Sequence, residues 1–323
     1  MKIDWWLRQM CVISGLFTGK KTIASVRDMM NSKWADSLIC WRWSTNFNDS
    51  VKHYFDPPPT TDLRDLASQL RKKGLCDTNW STLCPNRNTY CEISNATEIT
   101  TTILDQKIPH HAVPEKKTDA AKPYLRSLLP QPLDFNSEFI QCAIEPDLLA
   151  FAGTYLGTRP YLREIELILN EPSGFVARES QLWHRDGDDK VNLKIFSYLT
   201  NVDVDNGPFW YVDGSHRYGD NCSVGQCWWN DHNRISDEEM QQAISRRTWI
   251  KKIGAPGTVF VVDTSGYHKG GFVETQHRIA FIIHYTSRKP VYPRRFQIKN
   301  YNPNNLSRLQ RAALEPVECA MSA

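Results

Sequence analysis

Residues 180–217 read SQLWHRDGDDKVNLKIFSYLTNVDVDNGPFWYVDGSHR. In this stretch His184 and Asp186 stand two apart, and on an extended strand that spacing points both side chains to one face. An imidazole nitrogen and a carboxylate oxygen can then converge on one metal ion. Apolar runs follow at 193–200 and 208–212, separated by Asp205-Asn206-Gly207-Pro208 and closed by Asp213-Gly214-Ser215, both turn signals. The pattern predicts strands at 181–186, 193–200 and 208–212.

Outward from there, strands continue to dominate. Residues 161–170 (YLREIELILN) place Tyr161, Ile165, Leu167 and Leu169 on one apolar face. Further strands are expected at 248–253, 257–263 and 278–286. Short strands without intervening helices predict a sandwich or barrel, not a doubly wound parallel sheet. The long interruption at 217–247 is expected to carry a helix over 236–245, where Ser236 and Glu239 make a capping box. Towards the N-terminus, helices are expected at 61–73, closed by Gly74, and at 146–156, with Pro146 in the first turn and Gly157 just beyond the end. The polar, Thr- and Asn-rich segment 76–135 shows no readable periodicity. Residues 1–60 form a Trp-rich extension ending in Pro57-Pro58-Pro59, and residues 291–323 a basic tail.

The chain has 323 residues, 41% hydrophobic and 23% charged, which excludes a disordered or fibrous protein. A net charge of +3 is too slight to point to nucleic acid or an anionic membrane. No stretch reaches the roughly 18–20 apolar residues of a membrane span. Nine cysteines, an odd number with no CxxC pair, predict free thiols rather than a disulfide framework. With no secretory signal legible, a cytoplasmic location is expected. Neither a dinucleotide fingerprint nor a phosphate loop occurs.

Two further features join the His184/Asp186 pair. Tyr267-His268-Lys269-Gly270-Gly271 follows the apolar strand 259–263, so His268 can complete a three-ligand face. Arg278 comes ten residues later at the start of another strand, a fixed cation suited to a carboxylate. Two histidines and one carboxylate on one face of an octahedron leave three open positions, the arrangement of non-haem Fe(II) oxygenases. Alone, a His and Asp two apart are equally a hydrogen-bonded polar pair. Order and separation of all four residues are what raise the metal reading above that one.

The stretch 180–217, together with GTVFVVDTSGYHKGG (257–271) and HRIAFIIHY (277–285), resembles the phytanoyl-CoA dioxygenase-like family of Fe(II)/2-oxoglutarate-dependent oxygenases. The resemblance covers about residues 145–290. It implies a mainly β protein, a double-stranded β-helix or jelly-roll core with flanking N-terminal helices, over residues 61–290. It implies His184, Asp186 and His268 as Fe(II) ligands, Arg278 as the partner of the far carboxylate of 2-oxoglutarate, and Lys194 as a second contact to that cosubstrate, with O2 as co-reactant. Asn170 lies where a strand residue reaches the same molecule. A carboxylate at Asp186 fills the place that related halogenases leave open for halide, so hydroxylation of a small organic molecule is the expected outcome, with no nucleic-acid or membrane partner. Two alternatives stay open: a non-catalytic jelly-roll binding protein, and a cupin-like metalloenzyme that does not use 2-oxoglutarate. His277 competes with His268 but points to the opposite face of its strand. His284 reads as a hydrogen-bonded core histidine, His216 as a loop residue, and His110 and His111 as loop residues. Asp188 and Asp189 read as solvated loop charges, and Trp183 as a packing residue.

Overall fold

The computed structural model describes residues 46–107 (backbone only for 102–107), 124–172, 177, 179–223, 234–287 and 293–315. Most of the Trp-rich extension and the pair His110/His111 therefore lie outside the described residues. Among the described residues the helix Phe47–Tyr54 (α1) comes first and precedes the one expected from Thr61, which runs Thr61–Lys73 (α2). Leu63, Leu66, Ala67 and Leu70 bury one face of α2, and Gly74 ends it with φ 78°. There a Cβ would collide with the Tyr211 hydroxyl and the His216 ring. Both the left-handed backbone and the close approach require glycine. Gly74→Ala is expected to cost roughly 2–5 kcal/mol, backbone strain plus overpacking; the urea midpoint measures it, and an unchanged midpoint refutes it.

The chain continues through β1 (Leu75–Thr78), α3 (Trp80–Leu83), α4 (Thr89–Lys107), β2 (Leu125–Ser127), β3 (Leu133–Asp134), α5 (Glu138–Ala143) and α6 (Pro146–Leu156). There follow β4 (Pro160–Asn170), β5 (Leu193–Tyr198), β6 (Phe209–Val212), α7 (Asp237–Ala243) and β7 (Trp249–Lys252). Last come β8 (Val259–Asp263), β9 (His268–Gly270), β10 (Arg278–Ser287), β11 (Ile298–Lys299) and α8 (Arg308–Leu314). Helix α6 has the expected bounds, with Gly157 left-handed at φ 69° beyond it. Its N-cap is Glu145, whose carboxylate accepts from Asp147 N and Leu148 N. The expected capping box on α7 is present.

A six-stranded sheet has the order β1-β8-β5-β10-β4-β2, antiparallel throughout, and a three-stranded antiparallel sheet has the order β7-β6-β9. One face of the large sheet (Leu162, Ile165, Leu167, Leu193, Val261, Phe281, Tyr285) packs on the helices through Leu63, Leu70, Phe139, Leu149 and Phe151. The other face packs through Phe196, Tyr198, Phe260 and Ile282 on Phe209 and Tyr211 of the small sheet. The molecule is thus three layers, helices, large sheet and small sheet. The segment expected as a tail is part of the first core, with Phe296, Ile298 and Leu314 buried in it.

The mainly β jelly roll is met only in part. The architecture is mixed α/β with mostly antiparallel sheets, because the unreadable segment 76–135 contains helices and α6 adds to the layer they form; the described strands do not close into a barrel. The strand expected at 181–186 is instead a 3-10 turn at Glu179–Gln181 followed by isolated bridges, Trp183 to Ile235 and His184 to His268. On β4 the pairing slips between His284 and Tyr285, which oppose Glu164 and Leu162, so Arg163 is an extra residue. Leu162 rather than Tyr161 therefore joins Ile165 in the helix-side core. Among the described residues no helix is long and apolar enough to cross a membrane.

Candidate metal centre

His184 and His268 face one another across their isolated bridge, each N–H bonding to the other's carbonyl at 2.9 Å. Their rings lie 4.2 Å apart. Asp186 N donates to Thr264 O at 2.8 Å, which fixes the carboxylate beside them without a regular strand. Asp186 Oδ1 stands 4.0 Å from His184 Nε2 and 3.8 Å from His268 Nε2. One ligand atom from each of the three residues lies within 4.8 Å of the others.

The histidine tautomers follow from the backbone. His184 Nδ1 lies 2.8 Å from Leu182 O, and His268 Nδ1 lies 3.0 Å from Gly266 O. A carbonyl accepts only, so each Nδ1 carries the proton and each Nε2 lone pair points to the shared space, as in metal-binding histidines. Burial, then the neighbouring His268 charge, pushes the His184 imidazolium well below its usual range. Burial does the same to His268. Both rings are thus neutral donors at neutral pH. For Asp186, burial raises the carboxyl, but Lys194, His268 and His184 outweigh it and hold it well below the usual carboxylate range. Two neutral imidazoles and one carboxylate, three donors converging on one point, fit Fe(II).

Lys194 on β5 places its ammonium 2.8 Å from Asp186 Oδ2, both side chains nearly buried. One carboxylate oxygen thus faces the histidines and the other faces the lysine. Burial lowers the Lys194 ammonium, and Asp186, Glu166 and Glu164 outweigh that and raise it. Behind Asp186, Asn192 Nδ2 donates to Asp186 O, and Asn192 Oδ1 meets His284 Nε2 at 3.1 Å. His284 is the expected hydrogen-bonded core histidine. His216 is fully buried, its Nε2 3.1 Å from Arg71 O, rather than a plain loop residue.

Arg278 opens β10 opposite Asn170 of β4. It is buried, donates through Nη1 to Gly207 O and faces the Tyr198 hydroxyl. Gly207 holds φ 71° in the Asn206-Gly207-Pro208 turn, which aims that carbonyl. Arg278 Nε and Asn170 Oδ1 are buried with no hydrogen-bond partner among the described residues. Buried polar atoms are rarely left so; Arg278 Nε is a donor suited to a carboxylate, and Asn170 Oδ1 an acceptor suited to a donor group.

Asp188 and Asp189 are not solvated. Asp188 Oδ1 pairs with Arg163 at 2.8 Å and Arg295 at 3.2 Å, and Asp189 accepts from Ser287 N at 2.8 Å. The partners come from distant segments, which local sequence does not show. Trp183 is fully buried, packing as expected and donating to Asp237. Glu166 shares a strand face with Glu164, and no local motif in 161–170 marks it.

The profile of the Phytanoyl-CoA dioxygenase (PhyH) family matches residues 104–280, more than half of the chain. The chain belongs to this family of non-haem iron, 2-oxoglutarate-dependent oxygenases. Iron and 2-oxoglutarate are therefore its cofactor and cosubstrate. A search of the curated proteins finds no match. Among solved structures, the alpha-ketoglutarate-dependent epimerase SnoN from nogalamycin biosynthesis is similar, with TM-score 0.49, 16% identity, and coverage of 72% of this chain and 85% of that one. EctD from S. alaskensis gives 0.48 and 18%, covering 71% and 78%. AviO1 from Streptomyces viridochromogenes Tue57 gives 0.46 and 16%, covering 72% and 99%.

Proposed function

We propose that the protein hydroxylates a small organic molecule, with His184, Asp186 and His268 holding Fe(II) and Arg278 taking the far carboxylate of 2-oxoglutarate. The observation that carries this is the set of three ligand atoms within 4.8 Å, both imidazoles fixed with Nε2 turned inward. Bound there, iron with 2-oxoglutarate and O2 supplies the oxidising chemistry, releasing succinate and carbon dioxide. The residues do the rest. Lys194 fixes the outer oxygen of Asp186 and stands close enough to the metal ligands to contact the cosubstrate as well. Phe209 stacks on His268 with ring centres 5.6 Å apart and packs on Phe196, keeping water from that side. In this reading the two sheets are the facing halves of a double-stranded β-helix built from residues 61–290.

The test is anaerobic titration of the apoprotein with Fe(II) and then 2-oxoglutarate. A weak visible charge-transfer band that requires both, and is lost in His268→Ala, is the expected result. A folded protein that gives no band refutes the reading. Hydroxylation itself is checked by incorporation of label from 18O2 into product; succinate release without label in the product would favour an outcome such as the epimerisation for which SnoN is named.

A further inference from the structure

The large sheet turns four ionisable side chains towards the metal centre. His284 opposes Glu164 on one side and Lys194 on the other, and Ile282, two residues along, opposes Glu166. Three of the four are occupied. Glu164 meets Arg295 at 3.2 Å and His284 at 4.0 Å, and Lys194 is bonded to Asp186. Glu166 is half-buried and its carboxylate makes no hydrogen bond or ion pair within the described residues, although Lys194, Arg295 and Asp186 are near enough to act on it through space. On one side its neighbours on the same face are apolar, Ile168 two residues along, Ile282 across the strand pair and Phe196 beyond; on the other side stands Glu164. A carboxylate with no direct hydrogen-bond or ion-pair partner, at the edge of an apolar patch and near Asp186, is a recognition feature. 2-Oxoglutarate, a dianion, is repelled by it, so the matching group belongs to the other substrate. Burial, then Glu164, pushes the Glu166 carboxyl up to about 7, and an adjoining cation restores its ionised form.

We propose that Glu166 anchors a protonated amine of the substrate, so that the molecule oxidised is an amine on an apolar frame. This rests on the iron and 2-oxoglutarate reading above. The experiment loads the anaerobic protein with Fe(II) and 2-oxoglutarate at neutral pH and adds propylamine to hexylamine, putrescine and L-lysine, each beside its N-acetyl form. Perturbation of the visible band and, in air, stimulation of succinate release are followed. Free amines are expected to act at lower concentration than their acetylated forms. Glu166→Gln, of the same shape, is expected to raise the half-saturating amine concentration about tenfold or more while still forming the band. Amines acting no better than their acetylated forms, or equally on Glu166→Gln, overturn the proposal, the second because it would mark direct attack on the metal. No band in the wild type overturns the iron reading and this inference with it.

Discussion

Asp186→Ala is expected to release no succinate and to unfold about 10 °C lower than the wild type. The first loss follows from removing the one anionic donor of the triad, which leaves two imidazoles at the centre. The second follows from Lys194, whose ammonium sits 2.8 Å from Asp186 Oδ2 in a nearly buried place. An uncompensated buried charge costs about 3–5 kcal/mol, on the order of 10 °C in a chain of this size. The two effects separate in the double variant. Asp186→Ala with Lys194→Met removes both charges and is expected to regain most of the lost stability while staying inactive. Calorimetry of the metal-free proteins and succinate assays of the loaded ones decide it. If Asp186→Ala keeps full turnover, the metal assignment fails; if it melts with the wild type, the ion pair contributes nothing.

Arg278→Ala is expected to raise the 2-oxoglutarate concentration for half-saturation about 100-fold or more, with Fe(II) affinity unchanged. Truncating one partner of a buried, hydrogen-bonded charge pair costs about 2–5 kcal/mol. Arg278 is held from behind by Gly207 O, and its Nε is left over for a ligand. Arg278→Lys keeps the charge but not the planar fork, so only partial recovery is expected. Isothermal titration of 2-oxoglutarate into the anaerobic Fe(II) protein measures it. An unchanged affinity would show that Arg278 does not hold the far carboxylate of 2-oxoglutarate.

The central strands were legible because their signal is local. In β4, β5, β8 and β10 alternation or short apolar runs stand between turns, and α2 and α6 carry glycine stops. Helix α4 was hidden by its composition. Thr97, Thr100 and Thr101 turn their hydroxyls back onto carbonyls four residues earlier, so a polar stretch that reads as loop is helical. The triad residues could be picked out by order and spacing, but the reason they converge could not. His184 is held by a reciprocal pair of backbone bonds to His268 and Asp186 by one to Thr264, pairings set by tertiary structure rather than by strand periodicity. The salt links of Asp188 were equally illegible, since Arg163 and Arg295 are far from it in sequence.

Those links bear on the order in which the chain is finished. Arg163 and Asp188, both buried, tie β4 to the loop after Asp186, the half-exposed Arg295 adds the last described segment, and Leu314 completes the helix-side core. A ribosome delivers residue 186 long before residue 295. Arg163 precedes the loop after Asp186 and can hold it as soon as both are made, whereas Arg295 adds its bond only later.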